Sequence, residues 1–325
     1  MQYHSLNNQK LIKTFGEAVI QGQASDGGLF YPSQIPVEEG YDQHDDLASL
    51  AAALLSPMTS PEINPMRLAQ ICKEAFNFPI PLIELAPNLW VLELFHGPTA
   101  AFKDVGARFL SRIFSTLTTT QLTVLVATSG DTGGAVAHGF HGVEGIDVVI
   151  LYPKGRVSPL QEKQLTTLGG NITALEVEGS FDDCQSMVKA MLRDREVNQK
   201  RQLTSANSIN LARWLPQSMY YAWAAQQLKT APYFVVPSGN FGNLAAGIFA
   251  RRRGIKISGF LAATNRNDTF HSYLKTGHFE AKPSVLTPSN AMDVGDPSNR
   301  PRVEALFADD FGRMKRSLSS DSIGD

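Results

Sequence analysis

Apolar residues in the first part of the chain recur at helical intervals. Leu11, Phe15, Ala18 and Val19 share one helical face, which predicts a short helix over residues 10–22. The run Ser25-Asp26-Gly27-Gly28-Leu29-Phe30-Tyr31-Pro32 then reads as a glycine turn. Helical spacing returns over 45–78, with breaks expected near Pro57, Pro61 and Pro65. Pro79 and Pro81 close that segment and suggest a division into an N-terminal region, 1–82, and a second region, 83–325.

From Trp90 onward short β-branched runs alternate with glycine loops and helical stretches. Buried strands are expected at 91–95, 122–127, 148–152, 173–177, 233–236 and 260–263. Helices are expected near 105–118, 134–141, 158–168, 182–194, 211–228 and 244–253. Such alternation predicts an α/β fold with a parallel sheet. The glycine-rich loops fall after strands and before helices, where α/β proteins bind ligands. Near the end Val303, Leu306, Phe307, Phe311 and Met314 form an apolar stripe on one expected helix. The polar run 317–322 follows it, and no strand is expected there.

The 325 residues suit two domains, or one large α/β domain, at about 100–200 residues each. Charged residues make up only 18%, which argues against long disordered charged tails. Lys and Arg number 29 against 31 Asp and Glu, so there is no basic footprint for nucleic acid or an anionic membrane. Cys72 and Cys184 form no CxxC pair, and free thiols in a reducing compartment are expected. The N-terminus resembles neither a signal nor a transit peptide, and no window approaches 18 apolar residues. A soluble, cytoplasmic protein is expected.

Four loops carry candidate chemistry. The first is His96-Gly97-Pro98-Thr99-Ala100-Ala101-Phe102-Lys103-Asp104, between a strand and a helix. Lys103 sits near a helix N-terminus, whose dipole disfavours an ammonium, and partial burial acts in the same direction. A partly neutral lysine can attack a carbonyl to form a Schiff base. The plainer alternative is a solvated lysine paired with Asp104. The second is Pro237-Ser238-Gly239-Asn240-Phe241-Gly242-Asn243, where glycines let backbone N–H groups converge on an anion and asparagines add donors. It matches neither GxGxxG nor GxxxxGK[ST]. The third, Thr128-Ser129-Gly130-Asp131-Thr132-Gly133-Gly134, offers hydroxyl and backbone donors to a second anionic group, such as a carboxylate. The fourth runs from Ser205 through Asn207, Ser208 and Asn210 to Arg213, and suits a phosphate or simply a helix cap. Loops two and three also read as βα turns. His138 and His141 lack a third partner and read as structural.

Taken together, these stretches resemble the threonine synthase family of pyridoxal-phosphate (PLP) enzymes, the tryptophan synthase β-subunit-like group of fold type II. Further matching segments are Leu151-Tyr152-Pro153-Lys154-Gly155, Ser158-Pro159-Leu160-Gln161-Glu162-Lys163, Leu168-Gly169-Gly170-Asn171 and Ser289-Asn290-Ala291-Met292-Asp293-Val294. Asp26-Gly27-Gly28-Leu29-Phe30 looks like the family's opening region. The resemblance implies parallel sheets with flanking helices and a PLP cofactor bound covalently through Lys103, which would later move protons at Cα and Cβ. It implies that Gly239, Asn240, Phe241, Gly242 and Asn243 cradle the cofactor phosphate. Ser129, Gly130, Asp131 and Thr132 would face the substrate carboxylate. Asn207, Ser208, Asn210 and Arg213 would face the phosphate of O-phospho-L-homoserine. The implied reaction is γ-elimination of phosphate followed by addition of water at Cβ, giving L-threonine. A monomer or homodimer is expected, with no nucleic-acid or membrane partner. Members of the family carry a further C-terminal part, with Thr-Ala-His-Pro-Ala-Lys-Phe, beyond the position matching Asp325, so the stripe at 303–314 is expected to lack packing partners. The alternatives are a truncated, non-catalytic chain that binds PLP, and a fold type II lyase or dehydratase releasing a keto acid and ammonia.

Overall fold

The computed structural model describes residues 1–324. The chain opens with β1 (Gln2–Ser5), which pairs antiparallel with β2 (Ile12–Thr14) and later with β3 (Phe30–Pro32). Helix α1 (Phe15–Gln21) lies between them and is shorter than the expected 10–22. Thr14 sets its start: its side chain accepts from the Glu17 N–H, and the Glu17 carboxylate accepts from the Thr14 N–H. Residues before this box pair with β1, a tertiary partner that local periodicity does not reveal. Helix α2 (Leu47–Thr59) runs through Pro57, where a break was expected, and α3 (Pro65–Ala75) starts with proline behind an Asn64 cap. The hairpin of β4 (Leu82–Ala86) and β5 (Leu89–Leu92) replaces the buried strand expected at 91–95. Its Leu89, Trp90 and Val91 are exposed.

The first parallel sheet has the order β8-β7-β6-β9. Its elements are α4 (Asp104–Leu117), β6 (Leu122–Ala127), α5 (Asp131–Phe140), β7 (Ile146–Pro153), α6 (Pro159–Thr166), β8 (Ile172–Val177), α7 (Phe181–Arg193), α8 (Arg195–Lys200) and β9 (Gln202–Ser205). Strand β6 is buried along its whole length and is paired on both sides, as its unbroken apolar run predicts. Strand β9 escaped the sequence pattern because it is four residues long and mostly polar. Its ladder to β6 runs from Leu122↔Gln202 to Leu125↔Ser205.

The second parallel sheet has the order β10-β11-β12. The single helix expected at 211–228 is divided into α9 (Leu211–Trp214), a 3₁₀ turn containing Pro216, and α10 (Ser218–Gln227). Next come β10 (Tyr233–Pro237), α11 (Gly242–Arg252), β11 (Gly259–Thr264) and α12 (Thr269–Thr276). The stripe at 303–314 belongs to two helices, α13 (Arg300–Leu306) and α14 (Phe311–Ser317), separated by positive φ angles at Ala308 and Asp309. Its residues have packing partners, contrary to expectation: Val303, Leu306, Phe307 and Met314 are buried, and α13 lies on α11. The polar tail is also a strand, β12 (Leu318–Ser322), in parallel register with β11 from Phe260↔Leu318 to Thr264↔Ser322. Backbone pairing needs no apolar side chains, so the run carried no strand signature.

One apolar cluster extends from Tyr3 through the helices of both regions to Leu318, so residues 1–82 share a core with the rest. A smaller cluster, with Leu125, Leu151, Cys184, Val188 and Leu203, lies on the α7 side of the first sheet. Both cysteines are free and buried. Among the described residues no helix is long and apolar enough to cross a membrane.

Candidate active site

The chain after β6, after β9 and after β10 turns into a single cavity of about 490 Å³. This is the carboxyl end of both parallel sheets, where α/β folds leave backbone N–H groups and loop side chains free for ligands. Lys103, Ser129, Asp131, Thr132, Asn207, Ser208 and Arg213 line it, as does the whole 238–244 loop. The size lies within the usual range of small-molecule sites, roughly 300–1,000 Å³.

Lys103 stands at the first residue before α4, as expected, but its partner is not Asp104. The Asp104 carboxylate faces inward and accepts from the Thr99 N–H at 2.9 Å and the Thr99 hydroxyl at 2.6 Å. The Lys103 Nζ donates instead to Asp131 Oδ2 at 3.3 Å, from the third loop. Burial pushes the lysine's pKa down; Asp131 counters this, and Arg213 adds to it. The net direction favours a neutral amine more than in a free lysine. At Asp131 burial acts to raise the pKa. The Lys103 charge and hydrogen bonds from Gln161 and Lys103 outweigh it, and the net direction is downward. Gln161 Nε2 donates to Asp131 Oδ1 at 2.7 Å, so the carboxylate is held from both sides. Upstream, the Tyr220 hydroxyl donates to the Phe102 carbonyl and fixes the turn that presents the lysine.

The 238–243 loop is built for a backbone cradle. A Cβ on Gly239 would lie 2.7 Å from Met292 Cα, so no side chain fits there. Phe241 holds a left-handed conformation, φ 60°, and packs its ring 4.2 Å from that of Phe270. Gly242 opens α11, and the first-turn N–H groups of a helix have no carbonyl one turn back to bond. The side chains of the two asparagines, expected as donors to a ligand, are each tied to the scaffold on both sides of the amide. Asn240 Oδ1 accepts from the Ser298 N–H at 2.5 Å and its Nδ2 donates to Ser208 Oγ at 2.7 Å. Asn243 Oδ1 accepts from the Tyr221 hydroxyl at 2.6 Å, and its Nδ2 donates to Gln217. Both amides brace the loop.

In the third loop Thr128 Oγ1 accepts from the N–H groups of Gly130 and Gly133 and shapes the turn. Ser129, Asp131 and Thr132 reach the cavity; Gly130 does not line it, and a Cβ there would strike the Gln161 amide at 2.5 Å. In the fourth loop Asn207 and Ser208 reach the cavity, and Asn207 also brackets Ala127, accepting from its N–H and donating to its carbonyl. Asn210 is outside the cavity. It is fully buried, donates to the carbonyls of Val19 and Ser205, and accepts from the Ala212 N–H, so it acts as the helix cap. Arg213 is buried at the cavity wall. One Nη donates to the Ala206 carbonyl at 2.5 Å, and its Nε has no partner among the described residues. Burial pushes its pKa down to about 10.

Sequence reasoning missed Gln161, Ser298, Asn299 and Arg302. Gln161 had a visible signal as the fourth residue of the Ser158 capping box. The other three had none, because most of their partners are 58 to 272 residues away. Among the described residues no group of three or more His, Cys, Asp or Glu could hold a metal ion.

Comparison with known proteins agrees with this geometry. The family model described as pyridoxal-phosphate dependent enzyme matches residues 75–316, and the model for the threonine synthase N terminus matches residues 2–76. A threonine synthase of Haemophilus influenzae is 46% identical over 94% of this chain and 74% of its own length. That of Escherichia coli is 43% identical over 97% of this chain and 76% of its own length. The chain belongs to the threonine synthase family.

The crystal structure of the Escherichia coli threonine synthase superposes with a TM-score of 0.95 at 41% identity, covering 100% of this chain and 78% of that one. A PLP-bound threonine synthase from Brucella melitensis gives 0.90 at 34% identity over the same shares. Maize serine racemase, at 15% identity and 0.59, shares the fold alone. The chain therefore spans about three quarters of the length of its threonine synthase relatives, and it is a PLP-dependent biosynthetic enzyme of fold type II. The residues present fit the cofactor. The cavity holds a partly buried lysine of lowered pKa, a buried arginine with an unpartnered Nε, and a loop in which Met292 excludes any side chain at Gly239. An anionic aldehyde suits that combination.

Proposed function

We propose that the chain converts O-phospho-L-homoserine and water to L-threonine and inorganic phosphate. The observation that carries this reading is the meeting of Lys103 and Arg213 with three loop ends in one cavity. A buried arginine and two donor-rich turns match a cofactor phosphate and a substrate bearing both a carboxylate and a phosphate, with Lys103 left to hold the cofactor. PLP, when bound, supplies an electron sink for charge developing at the substrate's carbons.

The chain's own residues divide the remaining work. The 239–244 backbone binds the cofactor phosphate at the start of α11. Lys103 would hold the cofactor and move protons at the substrate's Cα and Cβ. Its lowered pKa suits that base role. The hydroxyls of Ser129 and Thr132, with the first N–H groups of α5, bind the substrate carboxylate. The Asp131 side chain cannot share that task, because two carboxylates repel; it positions the Lys103 amine instead. Asn207, Ser208 and Arg213 bind the leaving phosphate.

The test is product analysis. PLP-loaded protein given O-phospho-L-homoserine is expected to release phosphate and form threonine in equal amounts. A keto acid with ammonia in place of threonine would move the chain to the dehydratase class. No phosphate release at all would reject the reading.

A further inference from the structure

We propose that Asn299 is a positioning residue that turns the Ser208 hydroxyl into an obligate donor for the substrate's phosphate. The inference rests on the reading of the cavity given above. A serine hydroxyl has one proton to donate and two lone pairs to accept with. Around Ser208 Oγ both accepting positions are taken. Asn240 Nδ2 lies at 2.7 Å and Asn299 Nδ2 at 3.1 Å.

Neither amide can be turned the other way. Asn240 Oδ1 accepts from the Ser298 backbone N–H, which can only donate. Asn299 Oδ1 accepts from Arg302 Nη1 at 2.8 Å, and a guanidinium can only donate. Asn299 Nδ2 also donates to the Asn240 carbonyl at 3.1 Å, which can only accept. The NH₂ face of each amide is therefore fixed toward Ser208. The hydroxyl must accept from both, and its own proton is left for the cavity that Ser208 lines.

Arg302 sets the frame. It is fully buried, its guanidinium carbon lies 4.6 Å from the Trp214 ring centroid, and it donates to the carbonyls of Ser208, Ile209 and Phe30. The 207–209 turn and α13 are thus tied together. A hydroxyl with no accepting capacity favours an oxyanion that accepts only, such as a phosphate dianion, over a ligand group that must donate.

The experiment uses PLP-loaded protein, so that the cofactor's cradle is filled, and titrates inorganic phosphate by calorimetry. Asn299→Asp keeps the size and the Arg302 contact but presents only acceptors, which draws the Ser208 proton inward. It is expected to weaken phosphate binding about tenfold. Asn299→Ala, which adds no charge, is expected to weaken it about threefold. In a Ser208→Ala background neither change should add a further loss, because the residue acts through that hydroxyl. In turnover, KM for O-phospho-L-homoserine should rise with kcat within about twofold. Phosphate binding within twofold of wild type in both variants would overturn the inference. Losses that add fully to that of Ser208→Ala, or loss of PLP from both variants, would overturn it too, since Asn299 would then serve the scaffold or the cofactor. A wild-type holoenzyme that binds no phosphate would reject the cavity reading itself, and the inference with it.

Discussion

Replacing Gly239 with alanine isolates the shape of the cofactor cradle from its chemistry. The backbone at Gly239 has no positive φ, so alanine meets no conformational penalty and the effect is steric. Its Cβ would stand 2.7 Å from Met292 Cα and 3.1 Å from the Met292 carbonyl carbon and oxygen. Comfortable carbon contacts lie near 3.5–4.0 Å, so the two segments must part by about 0.8 Å or more. The obstacle is backbone, held by Asp293, which accepts from the side chains of Asn265, Asn267 and Thr287 and from the Thr287 N–H. Forced bulk of this kind costs about 1–3 kcal/mol. If the 238–243 loop yields, the cost appears as PLP binding weakened about five- to 150-fold, at about 1.4 kcal/mol per tenfold. If it resists, the cost appears as lost stability. Absorbance titration with PLP and urea unfolding of the apo-protein together measure both shares. Gly242→Ala is the comparison: its Cβ would meet the Asn299 amide nitrogen at 3.3 Å, a side-chain atom, and its loss should be smaller. Gly239→Ala with PLP affinity and stability both within twofold of wild type would refute the steric argument.

Other expectations follow from single contacts. Lys103→Ala should leave the protein without the lysine-bound PLP absorbance and without turnover; a borohydride-stable PLP adduct on another lysine would refute the assignment. Asp131→Asn removes the group that raises the Lys103 pKa, so the rise of PLP incorporation rate with pH should move to lower pH, and a move to higher pH would contradict the pairing. Protonated and buried, Lys103 disfavours folding, so its contribution to stability should improve as pH climbs from its lowered pKa toward the free lysine value; urea midpoints across pH 7–10 in wild type and Lys103→Met report the difference. Asp104→Ala strands the Thr99 hydroxyl and N–H in the interior and should cost about 1–3 kcal/mol in urea unfolding; a change below about 0.5 kcal/mol, the level of a surface mutation, would show that the site relaxes. Burial pushes the Cys72 thiol up to about 12 and the Cys184 thiol up to about 11. Neither should react with a thiol reagent at pH 8 until the chain is unfolded, and rapid native labelling would show that the core opens.

The α/β pattern was legible where strands carry short apolar or β-branched runs. Strands β6, β7, β8, β10 and β11 and helices α4, α5, α7 and α11 lie close to the expected spans; β6, β7 and β11 are largely buried, while β8 and β10 are partly exposed but keep that composition. Strands β9 and β12 were illegible for the opposite reason. Each is added to a sheet by backbone hydrogen bonds, with side chains that carry no apolar signature. The short N-terminal strands were hidden in the same way, since β2 exists only against β1.

Sequence by itself determined the fold class, the family and the four loops that meet in the cavity, since each is a local run of residues after a strand. Tertiary structure alone decided which polar atoms in those loops are free. Asn210, Asn240 and Asn243 look like ligand donors in the chain, yet their amides are bonded to the scaffold. The partner of Lys103 was decided the same way, passing from the adjacent Asp104 to Asp131, 28 residues away. A buried polar group must be satisfied by whatever packing brings near it, and packing joins residues distant in sequence. Composition and spacing carry the inventory of donors and acceptors; only the folded chain pairs them.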